Sequence, residues 1–139
     1  MSYDLQLNDG DLVIDSVGDI LVVENYDKLY QDLYRIALTT RGENYFDPEE
    51  GCGIYDLLGH VVPRDLAEGV LGKEIYYGIQ HLIAQQENQA LIQVISPYEK
   101  LELLDGVVIE KLTIKSISIN LLITTAQGTK LAFALNVTP

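Results

Sequence analysis

Ile117-Ser118-Ile119-Asn120-Leu121-Leu122-Ile123 is the stretch that decides the fold. In an extended chain Ile117, Ile119, Leu121 and Ile123 project to one side, and Ser116, Ser118, Asn120 and Leu122 to the other. This period-two alternation marks a strand with one face on a core and one on water, the habit of antiparallel sheets. The pattern returns after Ala126-Gln127-Gly128-Thr129, whose composition is that of a turn. There Leu131, Phe133, Leu135 and Val137 alternate with Lys130, Ala132, Ala134 and Asn136. Upstream, Leu91 to Leu104 reads as one extended segment interrupted at Ser96-Pro97, Asp105-Gly106 as a turn, and Val107 to Thr124 as the next strand. Together these predict a three-stranded meander.

Ahead of the meander the spacing becomes helical. Leu29, Leu33, Ile36 and Ala37 give an i, i+4, i+7, i+8 stripe, predicting a helix from about Tyr26 to Leu38 with Asn25 or Asp27 as its cap. Tyr26, Tyr30 and Tyr34 form a second row, either an aromatic ridge packed on the sheet or a contact face for a partner. Ile54 to Leu58 reads as a short helix ending at Gly59. Pro63 precedes a longer helix, Arg64 to Gln86, with Leu66, Val70, Leu71, Ile75, Ile79, Leu82 and Ile83 on its buried face. Gly69, Gly72 and Gly78 inside it cost roughly 1 kcal/mol each against alanine, so they suggest close packing or a bend.

The first 24 residues read differently. Asp4-Leu5-Gln6-Leu7, Leu12-Val13-Ile14 and Ile20-Leu21-Val22-Val23 are short apolar runs, separated by turns at Asn8-Asp9-Gly10-Asp11 and Asp15-Ser16-Val17-Gly18. Strands this short cannot stand alone. The fold class is α+β: an N-terminal β-ribbon (1–24), then two main helices packed on a C-terminal antiparallel meander (25–139), expected to form a single domain over 1–139.

Composition narrows the function. Asp and Glu number 21 against 9 Lys and Arg, a formal charge of -12, which argues against broad contact with nucleic acid. The single cysteine, Cys52, permits no internal disulfide, and Met-Ser-Tyr-Asp-Leu-Gln has neither the basic start nor the apolar core of a signal peptide. No apolar run approaches the roughly 18 residues that span a bilayer. Synthesis in the cytoplasm is the expectation. His60, His81 and Cys52 lack zinc-ligand spacing, and the cluster Asp47, Glu49, Glu50 lacks the alternation of a calcium loop, so no metal or cofactor is expected. Cys52 reads as a small, partly buried side chain, His60 as a surface residue and His81 as a helix-face residue. Glu43, Asp47, Glu49 and Glu50 offer the carboxylate pair, roughly 5–9 Å apart, that glycoside hydrolysis uses. The chain has no tryptophan and little length for a substrate cleft, so a non-enzyme is expected.

The stretch from Leu38 to Leu58 is less generic. Leu38-Thr39-Thr40-Arg41-Gly42-Glu43 leads to Phe46-Asp47-Pro48-Glu49-Glu50-Gly51-Cys52-Gly53 and then to Asp56-Leu57-Leu58. This resembles the signature of the sheath-initiator, or baseplate wedge, family of contractile-tailed phages and contractile injection systems (the lysozyme-like baseplate wedge family). The order of elements from Tyr26 to Pro139 fits that family as well. The resemblance implies a structural protein of the virion tail baseplate, in six copies. It would bind wedge proteins, tube-end or hub proteins and the sheath, and start the first sheath ring by strand addition between chains. The residues expected to touch partners are Thr40, Arg41, Gly42, Glu43, Phe46, Asp47, Pro48 and Gly51 of the loop, and Leu131, Phe133 and Leu135 of the last strand. Phe46 is also expected to anchor the loop in the core, and Arg41 to pair with Glu43 or a neighbouring chain. Where the family carries Glu-Pro-Arg near the end of its second long helix, this chain reads Glu87-Asn88-Gln89, leaving Glu87 as the candidate contact.

Overall fold

The computed structural model describes residues 3–8, 11–59 and 63–138. The chain begins with four two-residue strands, β1 (Asp4–Leu5), β2 (Leu7–Asn8), β3 (Asp11–Leu12) and β4 (Val22–Val23). Helices α1 (Asn25–Leu38), α2 (Ile54–Leu57) and α3 (Arg64–Gln89) follow, then strands β5 (Leu101–Leu112), β6 (Ile117–Thr125) and β7 (Lys130–Val137). The last three form one antiparallel sheet in the order β5-β6-β7. The α+β class expected from the alternation is the observed one.

Strand β6 is the middle of that sheet, and Ile117, Ile119, Leu121 and Ile123 are its buried apolar side chains. They meet Leu29, Leu33 and Ile36 of α1 and Leu71, Ile75, Ile79 and Leu82 of α3 in one core. Each such side chain stabilises the fold by about 1.5–3 kcal/mol relative to leaving it in water. Two members of the tyrosine row of α1 pack on β7 near its middle. Tyr30 stacks on Phe133 with ring centroids 4.8 Å apart, Tyr34 meets the same ring edge-on at 5.2 Å, and Tyr26 meets Tyr98 edge-on at 5.6 Å.

Several expectations are corrected. Helix α1 starts at Asn25, which itself adopts φ 54, and neither Asn25 nor Asp27 caps it; Glu24 holds the N-cap position without a side-chain bond. On α3 the buried face is Ala67, Leu71, Ile75, Gly78, Ile79, Leu82 and Gln86. Leu66 and Val70 are exposed because each precedes that stripe by one residue, about 100° around the helix. A Cβ at Gly78 would lie 2.8 Å from Ile36 Cγ2, so α3 lies close against Ile36 of α1 there, whereas Gly69 and Gly72 face open space.

The segment after α3 is not a strand. Residues 90–100 make local turns, with Leu91 N–H donating to Asn88 O, Ile92 N–H to Gln89 O and Glu99 N–H to Ser96 O. Gln86 fixes where the sheet begins: its buried amide donates to Glu99 O and accepts from Leu101 N–H. Asp105 and Gly106 are not a turn either. They lie inside β5, where the register slips between Leu104 and Gly106, and Gly106 lacks the positive φ of an Asp-Gly hairpin. The hairpin from β5 to β6 is closed instead at Thr113, whose N–H and hydroxyl both donate to Ser116 O.

The N-terminal segment is more than a ribbon. Gln6 N–H donates to Leu21 O, Leu21 N–H to Val13 O, and Val13 N–H to Gln6 O, each at 2.9–3.0 Å, a closed ring of three backbone bonds. Three short arms leave this hub: β1 with β4, β2 with β3, and the bridge Ile14 to Ile20. The expected turn after Asp15 is present, with Asp15 Oδ1 accepting from Val17 and Asp19 N–H. Asp9 and Gly10 of the other expected turn, and His60, lie outside the described residues. The unit is tied to α1 through Gln31, which accepts from Leu7 N–H and donates to Leu5 O and Asp4 Oδ2.

Candidate partner-docking surfaces

The loop between α1 and α2 has no regular structure, yet its ends are clamped. Cys52 N–H donates to Thr39 O at 2.9 Å. Gly51 lies against the same carbonyl with φ 103, and a Cβ there would sit 2.3 Å from Thr39 O, so only glycine fits. Inside the loop Gly42 N–H donates to Pro48 O, and Glu43 accepts from Thr40 N–H through its side chain while donating its own N–H to Thr40 O. Glu50 is buried; its carboxylate pairs with Arg35 of α1 and accepts from Asn44 Nδ2.

A second set of ties runs to α3. Arg41 pairs with Glu74 at 3.0 Å rather than with Glu43, and its guanidinium lies over the Tyr77 ring. Glu74 also accepts from Gly53 N–H. Asp47 Oδ2 is 2.8 Å from both His81 Nε2 and Gln85 Nε2. These bonds, His81 first and Gln85 next, hold the Asp47 carboxyl below its usual range. Glu74, His81 and Gln85 stand seven and four residues apart, so they share one face of α3. Neither Glu74 nor Gln85 stands out in the sequence by itself; with His81 their i, i+7, i+11 polar spacing opposite a polar loop is the signal that marks them.

At the loop's tip Tyr45 and Phe46 are 88% and 93% exposed and meet edge-to-face, ring centroids 5.6 Å apart. Phe46 is therefore not a core anchor. Asn44 Oδ1 takes its N–H and turns the tip outward, while Cys52 and Ile54 fill the core position beneath the loop. Burial pushes the Cys52 thiol up to about 11, so it stays protonated and unreactive near neutrality. Thr40, Arg41, Gly42, Glu43, Phe46, Asp47, Pro48 and Gly51 are thus brought together in one braced loop. Glu87 is exposed on α3, one turn before the exposed Leu91 and Ile92.

The two borders of the sheet differ. Strand β5 breaks register with β6 at three places, whereas β7 runs in unbroken register from Ile117↔Val137 to Thr124↔Lys130. Bulges blunt a strand edge; an unbroken edge stays open to pairing. Thr125 N–H donates to Thr129 O. Bonded and non-bonded pairs alternate along an antiparallel ladder, so Leu131, Phe133 and Leu135 bond inward to β6. Their side chains are buried or half-buried as well. Lys130, Ala132, Ala134 and Asn136 turn N–H and C=O to the outer edge, and their side chains are exposed. Among the described residues no strand pairs with that edge.

Among the described residues no three His, Cys, Asp or Glu side chains gather as a metal site, and no helix is long and apolar enough to cross a membrane. No protein family's sequence profile matches the chain, and no curated protein matches it. A solved structure with this fold is that of a protein from Geobacter sulfurreducens described as a candidate tail lysozyme. It superposes with a TM-score of 0.58 at 17% identity, over 92% of this chain and 96% of that one. At that identity the likeness is one of fold.

Proposed function

We propose that this chain is a structural component of a contractile tail baseplate, one that links the wedge and tube end to the first sheath ring and seeds that ring by strand addition at β7. The observation that carries this reading is the unbulged outer edge of β7, with four residues facing outward. The fold shared with a protein described as a candidate tail lysozyme supports the tail setting. The braced loop, with Tyr45 and Phe46 at its tip, and Glu87 with Leu91 and Ile92 are the contacts for wedge and tube-end proteins, in six copies per particle. No cofactor and no nucleic acid takes part.

Removing β7 outright would strip Phe133, Leu135 and Val137 from the core and test folding instead. Ala134→Pro removes one outward N–H from an exposed position, a change edge strands tolerate. Ala132→Lys places a charge on the same edge. Both variants should remain folded and leave tubes without sheath in electron micrographs. Sheath of normal length on either one overturns the reading.

The Geobacter protein's description favours a second reading, a cell-wall hydrolase. Against it, Glu50 is engaged by Arg35 and Asn44, and Asp47 is held ionised by His81 and Gln85, the opposite of what a general acid needs. Clearing of a cell-wall suspension by the purified protein, lost in Glu43→Gln, Asp47→Asn or Glu49→Gln, would favour the hydrolase.

A further inference from the structure

The three-armed N-terminal unit carries a surface that neither the core nor β7 explains. Each arm holds one cross-strand apolar pair beside the hub: Leu5 opposite Val22, Leu7 opposite Leu12, and Ile14 opposite Ile20. Directly opposed residues share a face of their ribbon. Each of the six is adjacent in sequence to a hub residue, Gln6, Val13 or Leu21, so all six emerge on the face away from the hub side chains. They are between 42% and 60% exposed, and Val17 at the tip of the third arm is more so. Scattered apolar residues on a surface need no explanation, but six on one face of so small a unit do. The same segment carries Asp4, Asp9, Asp11, Asp15, Asp19 and Glu24 and no Lys or Arg.

We infer that this face docks a different protein, through an apolar patch on that partner ringed by Lys and Arg. The charges choose the occupant. A second copy would bring the same acidic face, or another part of a chain of net charge -12, against it, and like charges across an interface oppose association. A phosphate-rich surface, whether nucleic acid or anionic membrane, is repelled for the same reason. A basic rim around an apolar centre is attracted and then desolvated in the way stable interfaces require. The surface is separate from the β7 edge, so this inference stands or falls apart from the sheath-seeding role.

The test uses the full-length 15N-labelled chain and two eight-residue probe peptides, one alternating Leu with Lys and one alternating Leu with Glu. The Leu/Lys peptide should shift amides of residues 5–22 and should weaken by about tenfold or more between about 50 and 500 mM salt, because exposed charges are screened. The triple variant Leu12→Ser, Ile14→Ser, Ile20→Ser should lose that binding while amides outside the unit keep their positions. Asp11→Asn with Asp19→Asn should weaken it less. Shifts confined to β7, equal binding of both peptides, or unchanged binding by the triple variant each overturn the inference. Sedimentation supplies a second readout: a monomer is expected, and a dimer abolished by the triple variant would replace the foreign partner with a second copy.

Discussion

The loop over residues 39–53 and the N-terminal unit over residues 3–24 are both acidic, both short of regular structure, and both expose apolar side chains, yet they are held in opposite ways. The loop is braced from two helices, by Arg35 to Glu50 on one side and by Glu74, His81 and Gln85 on the other. The N-terminal unit closes on itself through three backbone bonds, and its described side-chain ties to α1 all run through Gln31. Rigidity in this molecule therefore does not follow secondary structure. The segment without strands is the one tied by side chains from two helices, and the segment with strands has its described side-chain ties to α1 at the single residue Gln31.

That contrast can be broken from the loop side first. Gly51→Ala must push a Cβ into the Thr39 carbonyl at a positive φ, and should cost about 2–4 kcal/mol in urea denaturation. Arg35→Met leaves the buried Glu50 carboxylate without its cation. With Arg35 itself partly in water, the expected loss is about 2 kcal/mol, and Glu50→Gln on the same background should recover much of it. The Asp47 tie gives a smaller, pH-dependent effect. Its carboxyl is lowered in the folded state, so its contribution is complete above the ordinary carboxylate range and fades as pH falls through the lowered value. Wild type and Asp47→Asn should therefore differ most near neutrality and begin to draw together only below about pH 4. The smallest change in global stability comes from Gln31→Ala, expected within about 1 kcal/mol. Its signature is local: faster amide hydrogen exchange at Leu5 and Leu7, with α1 and the sheet unchanged. A Gln31→Ala unit that stays fully protected would show that the hub alone fixes its position.

The regions legible in the sequence are those governed by local periodicity. The alternation from Ile117 to Ile123 and from Leu131 to Val137, and the stripe Leu29, Leu33, Ile36, Ala37, place β6, β7 and α1 where they stand. Where one residue serves two conformations equally, pattern fails. Asp105-Gly106 is as good a bulge as a turn, and Leu91, Ile92 and Val94 have the composition of a strand but lie exposed outside it because Gln86 starts β5 only at Leu101. The candidate loop was legible as a segment and not as a mechanism. Its stiffness depends on Glu74, His81 and Gln85, more than twenty residues downstream, and the outward turn of Phe46 depends on Asn44 and Glu50 acting together.

Cys52 has a practical consequence. The chain's one sulfhydryl is sealed beneath the loop and held in its protonated form. A second cysteine introduced at Ala132 or on an arm of the N-terminal unit would therefore react with a maleimide dye far faster than the native one. Each surface can carry its own fluorophore without first removing a core residue, so encounters at the two sites can be timed separately.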